Sequence, residues 1–177
     1  MHALKTAIDR ALAGLLVVLM GLLVVDVLWQ VFSRYVLGAP SSFTEELARF
    51  LLIWVGLLGA AYASGRHMHL AVDVLPGRLS GNRRQYLEIL IHGLVLIFVV
   101  LVMVYGGSRL VWVTLYLGQT AAALRMPLGY IYIVLPLSGL LIAFYTTIAL
   151  GNAWRALSGR PPLSADAPGE GTLLDVD

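Results

Sequence analysis

Two carboxylates side by side, Glu45 and Glu46, stand four and three residues before Arg49 in the stretch SFTEELARFLLIW, residues 42–54. Adjacent acids can serve as a general acid and base, but that chemistry needs a cleft and a third group to orient the pair, and the sequence displays neither. The same residues suit a helix start. Ser42 followed by Glu45 has capping-box spacing, in which the hydroxyl accepts from an unpaired backbone N–H and the glutamate reaches back to the cap. Carboxylates in a first turn meet the positive end of the helix dipole, and Glu45 and Glu46 share a helix face with Arg49. The cluster Ser42, Glu45, Glu46 and Arg49 is therefore read as a helix start that leaves room for a salt bridge to a partner chain.

Three further groups could carry chemistry. Asp26 lies about two thirds of the way along an apolar run, with Trp29 and Gln30 a turn further on. An aspartate at the centre of a bilayer costs roughly 2.5–3.5 kcal/mol on insertion scales, so it should face protein or water, as a functional group or as a hydrogen-bonded packing residue. The stretch ASGRHMHLAVD, residues 63–73, gathers Arg66, His67, His69 and Asp73. Two histidines one residue apart supply too few ligands for a metal site, and a basic headgroup anchor at Arg66 is the better reading. His92 stands alone in a third apolar run, as a packed imidazole would.

The elements that position these groups follow from composition. With 59% hydrophobic and 12% charged residues and a mean hydropathy of +0.86, the chain departs far from soluble averages of about 45–50% apolar and about 25% charged. There is no cysteine, so disulfides and thiolate metal sites are excluded, and a net charge of +2 without a basic patch gives nucleic acid nothing to bind. Crossing a hydrocarbon core of about 30 Å takes about 18 or more apolar residues in a helix. Four segments qualify, near residues 12–32, 47–64, 87–105 with a possible extension to 117, and 128–150. No alternating barrel pattern is visible, so the fold class is an all-α integral membrane protein with four transmembrane helices.

Orientation follows from the short flanks. Placing both termini and the second loop in the cytoplasm puts Lys5, Arg10, Arg66, Arg78, Arg83, Arg84, Arg155 and Arg160 inside, against Arg34, Arg49, Arg109 and Arg125 outside. Eight against four makes both ends cytoplasmic. A cleaved signal peptide is the competing reading of the N-terminus, but the apolar run outlasts a normal h-region and no small-x-small site follows it. Residues 1–157 form the membrane domain; residues 158–177, rich in Pro, Gly and acids, are expected to be a flexible cytoplasmic tail.

In the second helix Gly56, Ala60 and Ser64 recur every four residues, with Gly59 and Ala63 one register away. Small residues at that spacing let another helix approach closely, so with Trp54 they mark a helix-helix or subunit interface. Trp54, Trp112 and Trp154 also fall near helix ends, as interfacial anchors do.

The order of these features resembles the small membrane subunit, DctQ-type, of tripartite ATP-independent periplasmic (TRAP) transporters. VFSRYVLGAPSSFTEELARFLLIWVGLLGAAYASGRHMHLAVDVL has that family's Arg-Tyr pair, Glu-Glu-x-x-Arg helix start, Trp- and Gly-rich second helix and His followed by Val-Asp. QTAAALRMPLGYIYIVLPLSG is similar to its fourth-helix start, with Pro127 before the helix and Pro136 inside it. The likeness runs to about Trp154.

The resemblance implies a non-enzymatic support subunit of a bacterial inner-membrane importer of organic acids, without a cofactor or metal of its own. Its partners would be a large membrane subunit carrying the substrate and coupling-ion sites, a periplasmic substrate-binding protein and membrane lipid. Two readings compete from other classes: a small proton-coupled transporter using Asp26, and a haem or quinone anchor of a respiratory enzyme. The second would need paired axial ligands, where His92 offers one.

Overall fold

A computed structural model describes residues 2–39, 41–65 and 82–157. The first span is one helix, α1 (His2–Tyr35), and the second is α2 (Ser42–Gly65). The third is a continuous rod made of α3 (Asn82–Phe98), a π-helical segment (Val99–Gly106) and α4 (Gly107–Tyr116). The fourth consists of α5 (Leu128–Tyr132) and α6 (Val134–Leu157). Among the described residues four helices are long and apolar enough to cross a membrane, as expected of an all-α membrane protein. The helices run on beyond the apolar stretches into polar flanks, because the backbone keeps its internal hydrogen bonds wherever no Pro or Gly interrupts them. At 34 residues α1 is about 51 Å long, well over the roughly 30 Å hydrocarbon thickness.

Helix ends are set by local chemistry. α1 gives way at Gly38, whose φ of 63° turns the chain, and the Ala39 N–H bonds back to the Ser33 carbonyl at 3.3 Å. α4 ends in a Schellman turn. Gly118 sits at φ 61°, its N–H donates to Leu115 O at 3.1 Å, and Gln119 N–H donates to Thr114 O at 3.1 Å. In the fourth span Pro136 has no N–H to give the carbonyl of Tyr132 four residues back, and the helix is interrupted at Ile133.

The spans are joined in a row. α1 lies along α2, α2 along α6, and α6 along α3 and the π-helical segment, while α5 rests on α4. Among the described residues, the first and third spans share no packed face. The periodicity of burial shows why. Along α1 the shielded positions include Leu12, Leu16, Leu19, Leu23, Asp26, Gln30 and Ser33, at steps alternating between four and three. α2 shields Thr44, Leu47, Leu51, Trp54, Leu58, Ala61 and Gly65 in the same alternation, and of these Trp54 and Gly65 meet the fourth span. On α1 this is the narrow seam of 3-4 helix packing, which needs only one packed neighbour, whereas α2 packs on both α1 and α6.

α6 is the inner member of the row and contributes buried Ser138, Ile142, Tyr145, Thr146, Ala149 and Ala153. It approaches the third span closely where side chains vanish: a Cβ added at Gly107 would lie 3.1 Å from Pro136 Cδ, and one at Gly139 would lie 2.8 Å from Met103 Cβ. The apolar circumference of the outer spans, including Val17, Val25, Leu28, Leu94 and Leu101, is exposed among the described residues.

Candidate functional site

At the helix start singled out by the sequence, the two glutamates take opposite roles. Glu45 points outward, its carboxylate 3.7 Å from Arg49, with both side chains about two-thirds exposed. Such an exposed pair contributes little to stability. Glu46 crosses instead to the turn between the third and fourth spans. Its Oε1 accepts from Ala122 N–H at 3.1 Å, and its Oε2 accepts from Ala123 N–H at 2.7 Å and Leu124 N–H at 2.8 Å. Three consecutive N–H groups converging on one carboxylate form an anion nest whose anion is a side chain of the same protein.

The turn so held is closed by its own backbone. Leu128 N–H donates to Gln119 O at 3.0 Å, Ala121 N–H to Met126 O at 2.8 Å and Arg125 N–H to Ala121 O at 2.9 Å. An antiparallel bridge joins Thr120 to Pro127, and Arg125 has a φ of 52°.

The capping box is shifted from its expected register. α2 begins at Ser42, which makes Ser41 the cap: the Ser41 carbonyl accepts from Thr44 Oγ1 at 3.0 Å and from Glu45 N–H at 3.4 Å. A second serine in front of Ser42 takes the cap position, so Glu45 falls a residue too late to close a box.

Trp54 faces into the protein. Its Nε1–H donates to the Ile131 carbonyl at 3.1 Å, beside the interruption of the fourth span. It therefore belongs to a helix-helix contact within the chain and not to a lipid-facing belt. Trp112 and Trp154 are both 65% exposed, and Trp112 stacks on Tyr116 with ring centroids 5.4 Å apart. Arg66, like His67, His69 and Asp73, lies outside the described residues.

The small residues of α2 divide between two faces. Gly56 and Ala60 are exposed, and a Cβ at Gly56 or Gly59 would meet nothing within 4 Å. Ala63 and Ser64 are half-buried, while the tight internal contact falls on Ala61 and Gly65. Asp26 is 8% exposed on the α1/α2 seam, and its Oδ2 has no hydrogen-bond partner among the described residues. At the other end of the seam Tyr145 donates to Asp9 Oδ1 at 2.5 Å.

The sequence reading missed the Glu46 nest and the Asp9–Tyr145 bond because each joins residues more than 70 positions apart. A partial signal existed: Gly118 and Pro127 bracket a segment too short for a helix of its own. Among the described residues no three His, Asp or Glu side chains converge as a metal cluster would require.

A row of apolar helices with internal polar clamps defines a multi-pass helical membrane protein whose outer faces are left to lipid or other proteins. The family model for the DctQ component of tripartite ATP-independent periplasmic transporters matches residues 23–158. A TRAP transporter small permease protein of Haemophilus influenzae is 30% identical over 145 residues, covering 81% of this chain and 87% of its own. The C4-dicarboxylate TRAP small permease protein DctQ of Rhodobacter capsulatus is 26% identical over 117 residues, 66% of this chain and 51% of its own. The sialic acid TRAP permease protein SiaT of Haemophilus influenzae is 30% identical over 77 residues, 44% of this chain and 12% of its own. The chain belongs to the DctQ family: it is a small membrane subunit of a TRAP transporter, multi-pass in the inner membrane.

Proposed function

We propose that this subunit is a bracket. It handles no solute and catalyses no reaction, but holds a larger permease subunit in the bilayer while that subunit imports an organic acid delivered by a periplasmic binding protein. Both termini lie in the cytoplasm, and the turns at 36–41 and 117–127 face outward towards the binding protein.

The observation that carries this reading is the row arrangement. Three of its polar side chains bond within the chain: Glu46 to a turn, Trp54 to a carbonyl and Asp9 to Tyr145. Asp26 sits in a packed seam, where a coupling group would need a path for ions. No pair of Gly- or Pro-broken half-helices faces a common centre among the described residues, and such pairs build substrate sites in secondary transporters. The match to part of SiaT, a much longer permease polypeptide, supports placing the bracket beside a large subunit.

The test is reconstitution. Vesicles holding this chain alone should show no uptake of C4-dicarboxylates or sialic acid, and vesicles holding the large subunit alone should transport poorly. Transport by this chain on its own, or full transport without it, overturns the bracket.

A further inference from the structure

Three observations meet in the turn between the third and fourth spans. First, the turn is fixed from outside itself, by the three N–H bonds to Glu46 and the closing bonds at Ala121 and Leu128. Second, its apex residue Arg125 is exposed and held at φ 52°, a backbone conformation that residues other than Gly, Asn and Asp seldom adopt. A turn wanting only to reverse the chain would be better served by glycine there.

Third, the charges at this end do not balance. Glu45 is engaged by Arg49 and Glu46 is consumed by the nest, while no carboxylate among the described residues pairs with Arg34, Arg109 or Arg125. On the orientation proposed above these arginines lie on the translocated side, which the positive-inside bias disfavours, and an anionic partner there would offset the surplus charge. Arg109 lies within the third span, whereas Arg125 stands beyond the helix ends, between Tyr116 and Leu128, beside exposed Gln119 and Thr120. Exposed beyond the helix ends, Arg125 is within reach of a soluble protein that docks on this end of the helices.

We propose that the Glu46-held turn presents Arg125 to a carboxylate cluster on the docking face of the periplasmic binding protein, with Glu46 as the positioning residue. This rests on the bracket reading and on its orientation. Charge pairs at the rim of such a contact act mainly on encounter rate and salt dependence.

The experiment titrates the fluorescently labelled binding protein into nanodiscs that hold the complex of this chain with its large subunit, at low and at physiological ionic strength. Arg125→Glu should weaken binding by roughly tenfold at low salt and flatten its salt dependence, Arg125→Lys should restore most of it, and Glu46→Gln should weaken it with Arg125 still present. In each variant the two subunits should still co-purify. Unchanged binding by Arg125→Glu in an intact complex overturns the proposal, as does a loss seen only in discs of anionic lipid, which would make Arg125 a headgroup anchor. If Glu46→Gln fails to assemble, the two Arg125 variants still decide. Absence of binding by the unaltered complex would instead sink the bracket reading itself.

Discussion

The ring of Tyr145 packs on Gly65: a Cβ built on Gly65 would stand 2.7 Å from Tyr145 Cζ, closer than real carbon atoms approach. The same tyrosine donates its hydroxyl proton to Asp9 Oδ1, so one side chain joins the first, second and fourth spans at one end of the row. In lipid, such close fits and interhelical hydrogen bonds replace the hydrophobic drive that organises soluble cores.

Gly65→Ala should therefore destabilise the protein by about 1–3 kcal/mol, the range for overpacking a fixed core. Tyr145→Phe should cost less, about 0.5–1.5 kcal/mol, since only the hydrogen bond is lost. Tyr145→Ala removes a buried ring and is itself strongly destabilising, but in that background Gly65→Ala should cost much less, because the added methyl then has no ring to meet. Thermal melts in detergent, read by tryptophan fluorescence, rank the variants; equal tolerance of Gly65→Ala with and without the ring would refute the contact.

Asp26 gives a second test with the opposite sign. Its buried Oδ2 has no partner in the described residues, so replacing the carboxyl with an apolar group of similar size removes a desolvated oxygen and breaks no hydrogen bond. Asp26→Leu should leave stability equal or higher, and Asp26→Asn should leave transport by the assembled complex unchanged. Asp26→Lys, which must bury an ammonium in the seam, should reduce membrane insertion. Loss of transport in Asp26→Asn with assembly intact would make Asp26 a working group and not a packing residue.

Much of this architecture was legible in the sequence because bilayer physics leaves few options. A long apolar run with no charge must be a helix, and the four spans follow from composition alone. What the sequence did not disclose is sidedness within each helix. Leu and Val fill both the seam and the outer face of α1, so hydrophobicity has no contrast there; the informative pattern is the polar one, Asp26, Gln30 and Ser33, at steps of four and three. The sequence offered the small-residue stripe Gly56–Ala60 as a surface for close helix approach, but the close contact among the described residues falls instead on Ala61 and Gly65. Glu46 was legible as a helix-start acid, yet its true partners are backbone groups 76 to 78 residues away, which no local spacing encodes.

The Glu46 nest predicts a local readout. Glu46→Ala should leave the four spans folded while the amides of Ala122, Ala123 and Leu124 exchange with solvent deuterium at least about tenfold faster, because their acceptor is gone. Glu45→Ala, which removes only an exposed pair with Arg49, should leave those amides as they are. Protection of the turn that survives in Glu46→Ala would show that its own backbone bonds suffice.

The open face of α2 is the place to separate folding from assembly. A Cβ at Gly56 meets nothing within 4 Å among the described residues, so Gly56→Leu should leave the melting temperature of the isolated subunit within experimental scatter. If the large subunit lies against that face, the added leucine must displace a neighbouring helix that approached closely over Gly56 and Ala60, and co-purification should fall sharply while Leu52→Ala on the same face has little effect. Gly65→Ala provides the contrasting case, lowering stability of the subunit alone. Should Gly56→Leu assemble as well as the unaltered chain, the face belongs to lipid, and the large subunit must sit instead against the exposed sides of α1 or of the third span.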